Sequence, residues 1–324
     1  MREVNHTTFC LNSSYSTTRR VSKSEPGVED LPGTRFQGLI FLPPEARRQG
    51  EGGLRTQGYF KARGGQSLEA GEGAHAEARP LITVITAVFN GAKTLERSIL
   101  SVINQSYDNL EYIIIDGASG DGTLDIIRRY EEAIDYWVSE PDGGIYDAWN
   151  KGIRLAGGDW LAFLGADDIY LPGALNAYGE AIAGRSDRRL EYISSRVNLT
   201  QGPKVIRTIG GHWSWKSLRR YMNVAHVGSL HSRALFERYG LFDTSYKIGG
   251  DYEFLLRPKA GLRATFMNSI TVNMGIAGAS NNNLLGFREK ERAKVTTGGQ
   301  SALLSHIERI VAVGKWKLRK WLWY

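Results

Sequence analysis

Two adjacent acidic residues, Asp167 and Asp168, follow an apolar run over residues 160–164. Such a run is typical of a buried strand, and Pro172 marks the start of the helix that comes next. Open α/β sheets bind their ligands at the edge where the carboxyl ends of the strands meet. Carboxylates there suit Mg²⁺ or Mn²⁺, which proteins commonly hold with one or two carboxylates and substrate phosphates. An acidic turn that caps the next helix is the alternative.

A second acidic loop follows another predicted strand, residues 111–115. The loop is Asp-Gly-Ala-Ser-Gly-Asp-Gly-Thr, residues 116–123, and its glycines permit tight turns. Asp121 can cap the following helix, which leaves Asp116 free to accept hydrogen bonds from a ligand. No Gly-Lys-Ser/Thr follows, and a Gly-x-Gly-x-x-Gly after the first strand is absent. The sequence therefore argues against a P-loop enzyme and against a Rossmann dehydrogenase.

Strands and helices alternate in the part of the chain that carries these loops. The predicted elements are strand 81–88, helix 94–105, strand 111–115, helix 123–130, strand 134–139, helix 145–155 and strand 159–164. This succession predicts an α/β protein with a mostly parallel sheet and helices on both faces. Right-handed crossovers then bring the carboxyl ends of the first, second and fourth strands to one edge.

The pattern becomes irregular after residue 185. It predicts antiparallel strands over 192–199 and 204–209, a helix over 249–256 and a late strand over 265–272. We expect this second half to complete the first as one domain, because its elements alone do not make an independent alternating unit.

Charge divides the 324 residues into three parts. Residues 1–79 carry 11 basic and 9 acidic residues, 80–286 carry 21 and 22, and 287–324 carry 9 and 3, so the net charges are +2, −1 and +6. A near-neutral centre argues against a nucleic-acid-binding core, which needs a basic stripe. Because residues 1–79 lack sustained periodicity, we predict a mostly disordered tail with two short docking patches, 39–42 and 54–60.

The remaining bulk features bear on location. The single cysteine, Cys10, excludes an internal disulfide. The longest apolar stretch, residues 81–89, is far shorter than the ~20 residues that span a bilayer. We therefore expect a cytoplasmic protein.

Several ordered motifs between residues 80 and 168 carry a family resemblance. They are Thr-Ala-Val-Phe-Asn at 86–90, Ile-Asp-Gly-Ala-Ser-Gly-Asp-Gly-Thr at 115–123, Ser-Glu-Pro-Asp-Gly-Gly-Ile-Tyr-Asp-Ala-Trp-Asn-Lys-Gly at 139–152, Gly-Gly-Asp-Trp at 157–160 and Gly-Ala-Asp-Asp at 165–168. This set resembles the nucleotide-sugar-binding half of family 2 glycosyltransferases, and is most similar to the branch that assembles bacterial exopolysaccharide, capsule or glycolipid. The resemblance implies a GT-A fold over residues 80–286, with a nucleotide-sugar-binding half at 80–184 and an irregular acceptor-side half at 185–286.

The resemblance also implies roles for single residues. Thr86 and Asn90 would border the nucleotide base, and Asp116 would accept a hydrogen bond from a ring nitrogen of that base. Ser119 joins the same nucleotide-binding set, and Asp142 would lie near the ribose and phosphates.

A metal motif of the Asp-x-Asp type is implied at Asp167 and Asp168, with Asp168 as the direct ligand of Mg²⁺ or Mn²⁺. The sequence departs from the family pattern at Gly117, where a second Asp is common outside this branch. It departs again at Trp149, which occupies the place of an arginine in many members. The second departure leaves the phosphates without an obvious cationic partner.

The catalytic base of the family lies in a segment similar to residues 249–257. Asp251 matches its position, and Glu253 is the alternative because many relatives carry a paired acidic motif. A helix-capping role for Asp251 stays open. His226 lies where relatives often have a histidine, which leaves both a role near the phosphates or acceptor and a structural role open.

The chemistry implied is transfer of a sugar from a nucleoside diphosphate to a hydroxyl. A metal ion stabilises charge on the departing diphosphate, a carboxylate removes the acceptor proton, and one in-line displacement inverts the anomeric centre. We expect a metal-dependent, hexosyltransferase-type enzyme whose acceptor is a saccharide or lipid-linked saccharide. A sugar-1-phosphate nucleotidyltransferase is an alternative, although residues 89–93 lack its basic glycine-rich signature. A non-catalytic nucleotide-sugar-binding module is another.

The C-terminal segment, residues 287–324, combines aromatic and basic residues. Its last residues include Trp316, Trp321, Trp323, Tyr324, Lys315, Lys317, Arg319 and Lys320. With Ile307, Ile310 and Val311 before them, they resemble an amphipathic helix at an anionic membrane surface. This would place the protein peripherally at the inner face of the cell membrane. A helix that packs on the domain with a solvated basic face is the equal alternative, and nucleic-acid binding is a weaker third.

Overall fold

The computed structural model describes residues 8–27, 33–61, 79–184, 189–276 and 284–323. Its strands are β1 (Gly50–Gly52), β2 (Ile82–Val88), β3 (Leu110–Asp116), β4 (Tyr136–Ser139), β5 (Trp160–Gly165), β6 (Ile169–Tyr170), β7 (Tyr192–Gln201), β8 (Lys204–Ile209), β9 (Ser229–Ser232) and β10 (Ala264–Gly275). Its α-helices are α1 (Leu95–Ile103), α2 (Thr123–Arg129), α3 (Ile145–Leu155), α4 (Ala174–Ala183), α5 (Trp215–Leu218), α6 (Arg233–Tyr239), α7 (Gly250–Leu256), α8 (Leu284–Thr296) and α9 (Ala302–Trp323). None of these described helices is long and apolar enough to cross a membrane.

The strands form one mixed sheet in the order β1-β4-β3-β2-β5-β9-β7-β10-β6, and β8 pairs with β7. The run β4-β3-β2-β5 is parallel, so its carboxyl ends share one edge. The antiparallel strand β9 joins that run to β7, and β7 is parallel to β10. This arrangement confirms the predicted α/β class with a mostly parallel central sheet.

Two apolar layers cover the two faces of the sheet. Successive residues of a strand point to opposite faces, and Ile113 and Ile114 accordingly enter different layers. Helix α3 packs so closely on one face that a Cβ at Gly152 would lie 2.4 Å from Ile85. Glycine at this position therefore sets the distance between helix and sheet.

The predicted elements between residues 81 and 164 are confirmed, with ends that agree within two residues. The strands 192–199 and 204–209 are also confirmed as an antiparallel pair. The sequence pattern missed β1, β6 and β9. Each of these strands has only two to four residues, which is too short for a periodic signal.

The N-terminal segment corrects the prediction of a mostly disordered tail for residues 8–27 and 33–61. Strand β1 extends the sheet beside β4, and Leu54 and Phe60 of the second predicted patch are buried. The buried Arg55 guanidinium donates to Glu111 at 2.7 Å. Irregular backbone anchored by ion pairs gives no periodicity, which explains the error. Residues 62–78 lie outside the described residues.

Candidate active site

Asp116 ends β3 at the carboxyl edge of the sheet, in register with Val88 on one side and Ser139 on the other. Its carboxylate is buried. Oδ2 accepts from the Ser119 backbone amide at 3.0 Å and from the Ser139 hydroxyl at 2.6 Å, and Oδ1 accepts from the Ser119 hydroxyl. These bonds hold the carboxylate in one orientation, and Oδ1, which accepts only one of them, has a second lone pair for a ligand.

Asn90 connects this loop to the end of β2. It adopts a left-handed conformation, with φ of 52°. Its backbone amide donates to the Ser119 hydroxyl at 2.7 Å, and its side-chain oxygen accepts from the Gly120 amide at 3.0 Å. The preceding residue, Phe89, is 68% exposed. The turn therefore presents an aromatic face to solvent beside Asp116.

Thr86 does not reach this surface. It is fully buried, and its hydroxyl lies 3.1 Å from that of Tyr112. The β-strand alternation explains this placement, because Thr86 shares the sheet face of the core residue Val84. The structure therefore corrects the expectation that the Thr86 side chain borders the nucleotide base.

Asp142 lies directly over the Asp116 loop. A Cβ built at Gly117 would lie only 2.7 Å from Oδ2 of Asp142, so a side chain at residue 117 would compete with this carboxylate for space. Oδ1 accepts from the Gly144 amide at 2.8 Å, and burial raises the pKa of Asp142. Gly117, one of the departures from the family pattern, therefore makes room for Asp142.

Asp167 and Asp168 form a carboxylate pair after β5. Asp168 is buried, and its oxygens accept from the amides of Gly165 at 3.2 Å and Gly275 at 3.1 Å. Burial, together with the neighbouring Asp167 carboxylate, raises the pKa of Asp168 to about 7. Burial also raises the pKa of Asp167, which is the more accessible of the two.

The pair fits a divalent cation shared with a ligand. A Cβ at Gly165 would lie 2.6 Å from Asp168, and one at Gly275 would lie 2.9 Å from Asp167, so two glycines keep the space around both carboxylates open. In the described part of the chain, no three His, Cys, Asp or Glu side chains are grouped to hold a metal. Two carboxylates with the rest of the coordination from phosphates and water is the usual arrangement for Mg²⁺.

Asp251 lies in the first turn of α7 and is half-buried. Its Oδ1 lies 3.3 Å from the Tyr146 hydroxyl, and the Tyr146 hydroxyl also donates to the Ile248 carbonyl at 2.6 Å. Tyr146 belongs to α3, directly after the loop that contains Asp142. Asp251 therefore contacts the helix that directly follows the Asp142 loop.

Glu253 does not share this environment. It is buried, and Arg257 donates to both of its oxygens, at 3.1 Å from Nε and 2.6 Å from Nη2. Thr297 donates to it at 2.8 Å. Arg257 also donates to the carbonyls of Tyr239 and Leu241. The structure thus gives Glu253 a role in anchoring α7 and corrects its assignment as a candidate base.

A second anchor for α7, which has no signal in the sequence, is Glu289. The carboxylate of Glu289, on α8, accepts three backbone hydrogen bonds at 2.8 Å, from Lys247, Ile248 and Gly249. These residues lead directly into the turn that contains Asp251. Glu289 is buried and lies some 40 residues from its partners in sequence, so no local pattern identifies it.

Lys247 places a positive charge next to the Asp142 loop, and none of the family motifs includes this residue. Its exposed ammonium donates to the Gly143 carbonyl at 2.6 Å and would lie 3.7 Å from a Cβ at Gly144. It therefore lies against the loop that begins with Asp142. A positive charge therefore borders the Asp142 loop, although Trp149 of α3 stands where many family members have an arginine.

His226 stacks on Trp149, with ring centroids 4.8 Å apart and an interplanar angle of 23°. Burial lowers the pKa of His226, and the negative charge of Asp251 opposes that shift. Neither ring nitrogen of His226, nor Nε1 of Trp149, has a hydrogen-bond partner among the described residues. Because buried polar groups are normally paired, these nitrogens are candidates to contact a bound molecule.

The N-terminal segment also supports the donor side. The Arg48 guanidinium donates to Glu140 at 2.8 Å, and the Gln49 amide donates to the Ser139 carbonyl at 2.7 Å. Ser139 in turn donates to Asp116. The N-terminal segment therefore braces Ser139 and Glu140, the two neighbours of Asp116 on its β4 side.

This geometry places a carboxylate-lined site at the edge of a GT-A-type sheet, and comparisons with known proteins agree. Residues 83–185 match the model of glycosyl transferase family 2. An uncharacterized glycosyltransferase of Mycobacterium tuberculosis is 35% identical over 189 residues, which are 55% of this chain and 68% of that protein. A PGL/p-HBAD biosynthesis glycosyltransferase of the same organism is 26% identical over 229 residues, 68% of this chain and 86% of the relative.

The fold is also found in solved structures. S. aureus TarS residues 1–349, in complex with UDP-GlcNAc, superposes with a TM-score of 0.54 at 15% identity, over 69% of each chain. The chain belongs to glycosyl transferase family 2 and has the GT-A fold. Family membership removes the nucleotidyltransferase alternative.

Proposed function

We propose that this protein is a metal-dependent inverting glycosyltransferase that moves a sugar from a nucleoside diphosphate to a saccharide or lipid-linked saccharide. The observation that carries the proposal is one continuous series of contacts. It leads from Asp116 through Gly117 to Asp142, and from the loop after Asp142 through Tyr146 to Asp251. In this proposal, a nucleotide site and a base would thus lie side by side.

The donor would bind along this series. Phe89 offers an aromatic face for the base, Asp116 an acceptor for its ring nitrogen, and Asp142 an acceptor for ribose hydroxyls. Lys247 would lie beside the diphosphate and stabilise its charge. The solved structure of TarS with UDP-GlcNAc supports a nucleotide-sugar donor, since that protein shares this fold.

Asp167 and Asp168 would hold Mg²⁺ or Mn²⁺, with Asp167 offering the more accessible oxygens. The ion, when bound, would stabilise negative charge on the departing diphosphate. The neighbouring glycines 165 and 275 would keep this space open.

Asp251 would accept the proton of the acceptor hydroxyl as its oxygen bonds to the anomeric carbon. The bond from that carbon to the diphosphate oxygen breaks in the same displacement, on the opposite face, so the configuration inverts. Tyr146 would orient the Asp251 carboxylate. His226 and Trp149 would border the same region with unpartnered nitrogens.

The acceptor belongs, in this proposal, to cell-surface polysaccharide or glycolipid assembly. The relative named for PGL/p-HBAD biosynthesis supports this assignment. We place the reaction in the cytoplasm, at the inner face of the cell membrane.

A donor screen tests the proposal. Purified protein is incubated with UDP-, GDP- and dTDP-sugars and Mn²⁺, and nucleoside diphosphate release is measured with and without a chelator. We expect metal-dependent release from at least one donor, and NMR of the released or transferred sugar to show inverted configuration. Release that is insensitive to the chelator, or retained configuration, would contradict the proposal.

A further inference from the structure

Helix α9 exposes an apolar stripe along its length. Six of its large apolar side chains are 44–72% exposed, and they are Leu303, Leu304, Ile307, Ile310, Val311 and Leu318. At 3.6 residues per turn these positions fall within a sector of about 120°. This is the width of the face with which a helix normally enters an apolar environment.

The opposite face of α9 is already packed on the protein. Ser305 is fully buried, and Glu308 accepts from Lys294 at 2.7 Å and from Gln300 at 2.9 Å. Further along, Trp316 meets Phe287 edge to face, with centroids 6.2 Å apart. These contacts attach the inner side of α9 to the protein. The exposed apolar stripe is therefore not the side by which α9 packs on its own domain.

Basic residues flank the stripe. Lys315 and Lys317 are exposed, and by helical geometry they lie about 80° to either side of its centre. Residues 311–324 contain four basic residues and no acidic residue. Lysines in these positions can extend toward lipid headgroups while the apolar stripe between them enters the acyl region.

We propose that the outer face of α9 docks on an anionic lipid bilayer, with the helix axis in the membrane plane. Apolar contact and attraction of the flanking lysines to anionic headgroups act together there. A second copy of the chain suits the stripe less well. It would bring a second basic segment against the first, and like charges repel.

The exposed face of α9 is connected to the candidate active site through α8. Helix α9 packs on α8, and Glu289 of α8 holds residues 247–249, which lead into the turn with Asp251. A membrane-bound α9 would hold the acceptor-side half near the lipid surface. One part of the inference rests on the proposed function, namely that the enzyme would reach a lipid-linked acceptor at the membrane surface.

Vesicle co-sedimentation tests the inference without any substrate. The full chain is mixed with vesicles of phosphatidylcholine that contain phosphatidylglycerol, or with phosphatidylcholine alone. We expect binding to the anionic vesicles at least tenfold tighter than to the neutral ones. The variant Ile307→Asp/Ile310→Asp should lose this binding. A matched control is Val205→Asp/Ile206→Asp on β8, where the side chains are 49% and 42% exposed, and it should bind as the wild type does.

Two further measurements complete the test. Lys315→Glu/Lys317→Glu should remove the preference for anionic vesicles, and thermal unfolding should show that all variants fold. Absent vesicle binding, or equal binding by the Asp variants, would overturn the inference. Light scattering provides another contradicting result. If the wild type is a dimer and Ile307→Asp/Ile310→Asp is a monomer, the apolar stripe binds a second copy of the chain, and the inference is overturned. Vesicle binding needs no turnover, so an absence of vesicle binding would not contradict the proposed enzymatic function. An absence of enzymatic activity would likewise not contradict membrane docking.

Discussion

The Tyr146 hydroxyl lies 3.3 Å from Oδ1 of Asp251 and donates to the Ile248 carbonyl at 2.6 Å. Tyr146 follows the glycines of the Asp142 loop, and Ile248 is one of the residues held by Glu289. The Tyr146 phenol thus connects the start of α3, which follows the Asp142 loop, to the turn that carries the candidate base Asp251. Under the proposed function, this contact would fix the candidate base relative to the transferred sugar.

Removal of the phenol oxygen should therefore weaken catalysis more than binding. We expect Tyr146→Phe to lower kcat about tenfold, equivalent to about 1.4 kcal/mol, with donor KM changed less than about threefold. Steady-state kinetics with the donor found by the screen measures both constants. An unchanged kcat would show that the contact does not position Asp251.

The Glu289 carboxylate should behave as a positioning group for the same turn. Glu289→Ala leaves three backbone amides without their acceptor, which costs about 1–3 kcal/mol for each group left buried and unsatisfied. We expect lower kcat and a lower unfolding temperature, and partial recovery of both in Glu289→Gln, which keeps one acceptor oxygen. Loss of stability with full kcat in Glu289→Ala would assign the residue a purely structural role.

Lys247 should act on the donor. Its charge lies beside the Asp142 loop, so Lys247→Met should raise the Kd for the nucleoside diphosphate about tenfold, which calorimetric titration can measure. Lys216→Met removes an exposed lysine elsewhere and serves as the control. Equal affinity in the two variants would exclude a diphosphate contact.

Much of the fold between residues 80 and 184 was predictable because its signals are local. Asp116, Asn90 and Asp142 lie at strand ends, and a sheet of parallel strands brings such ends together whatever the rest of the chain does. Thr86 shows the limit of this argument. A motif position does not say which face of the sheet a side chain enters, and the alternation of β2 turns the Thr86 hydroxyl into the core.

The acceptor half and the N-terminal segment depend on contacts between distant residues. Glu253 and Asp251 are two residues apart and look alike in sequence, yet Arg257 neutralises only the first. Glu289 and Arg48 support the site from segments outside every recognised motif. Such pairings follow from tertiary packing, and a single sequence contains no periodic signal for them.

The buried Asp135 should make stability depend on pH. Burial raises its pKa to about 7 against the opposing effect of Lys61, which lies 3.7 Å away. The unfolded chain loses this proton near pH 4, so between about pH 4 and 7 the folded state binds more protons. The contribution of Asp135 to the free energy of unfolding therefore falls as pH rises through that window.

Asp135→Asn removes this titration and retains an acceptor for the Tyr112 amide, which now donates to Asp135 at 2.8 Å. We expect the unfolding temperature of the variant, relative to the wild type, to increase from about pH 5 to about pH 8. Differential scanning calorimetry measures the difference. A constant difference across that range would show that Asp135 does not carry the pH dependence.

The comparison of Asp251→Asn with Glu253→Gln tests the central claim most directly. Sugar transfer and nucleoside diphosphate binding are measured for both variants beside the wild type. We expect Asp251→Asn to bind the nucleotide normally and to lose about 10²–10⁴-fold in kcat, as loss of a general base does. Glu253→Gln should lower the unfolding temperature and keep most of kcat. Full turnover by Asp251→Asn, or the larger kcat loss in Glu253→Gln, would contradict the assignment of the base.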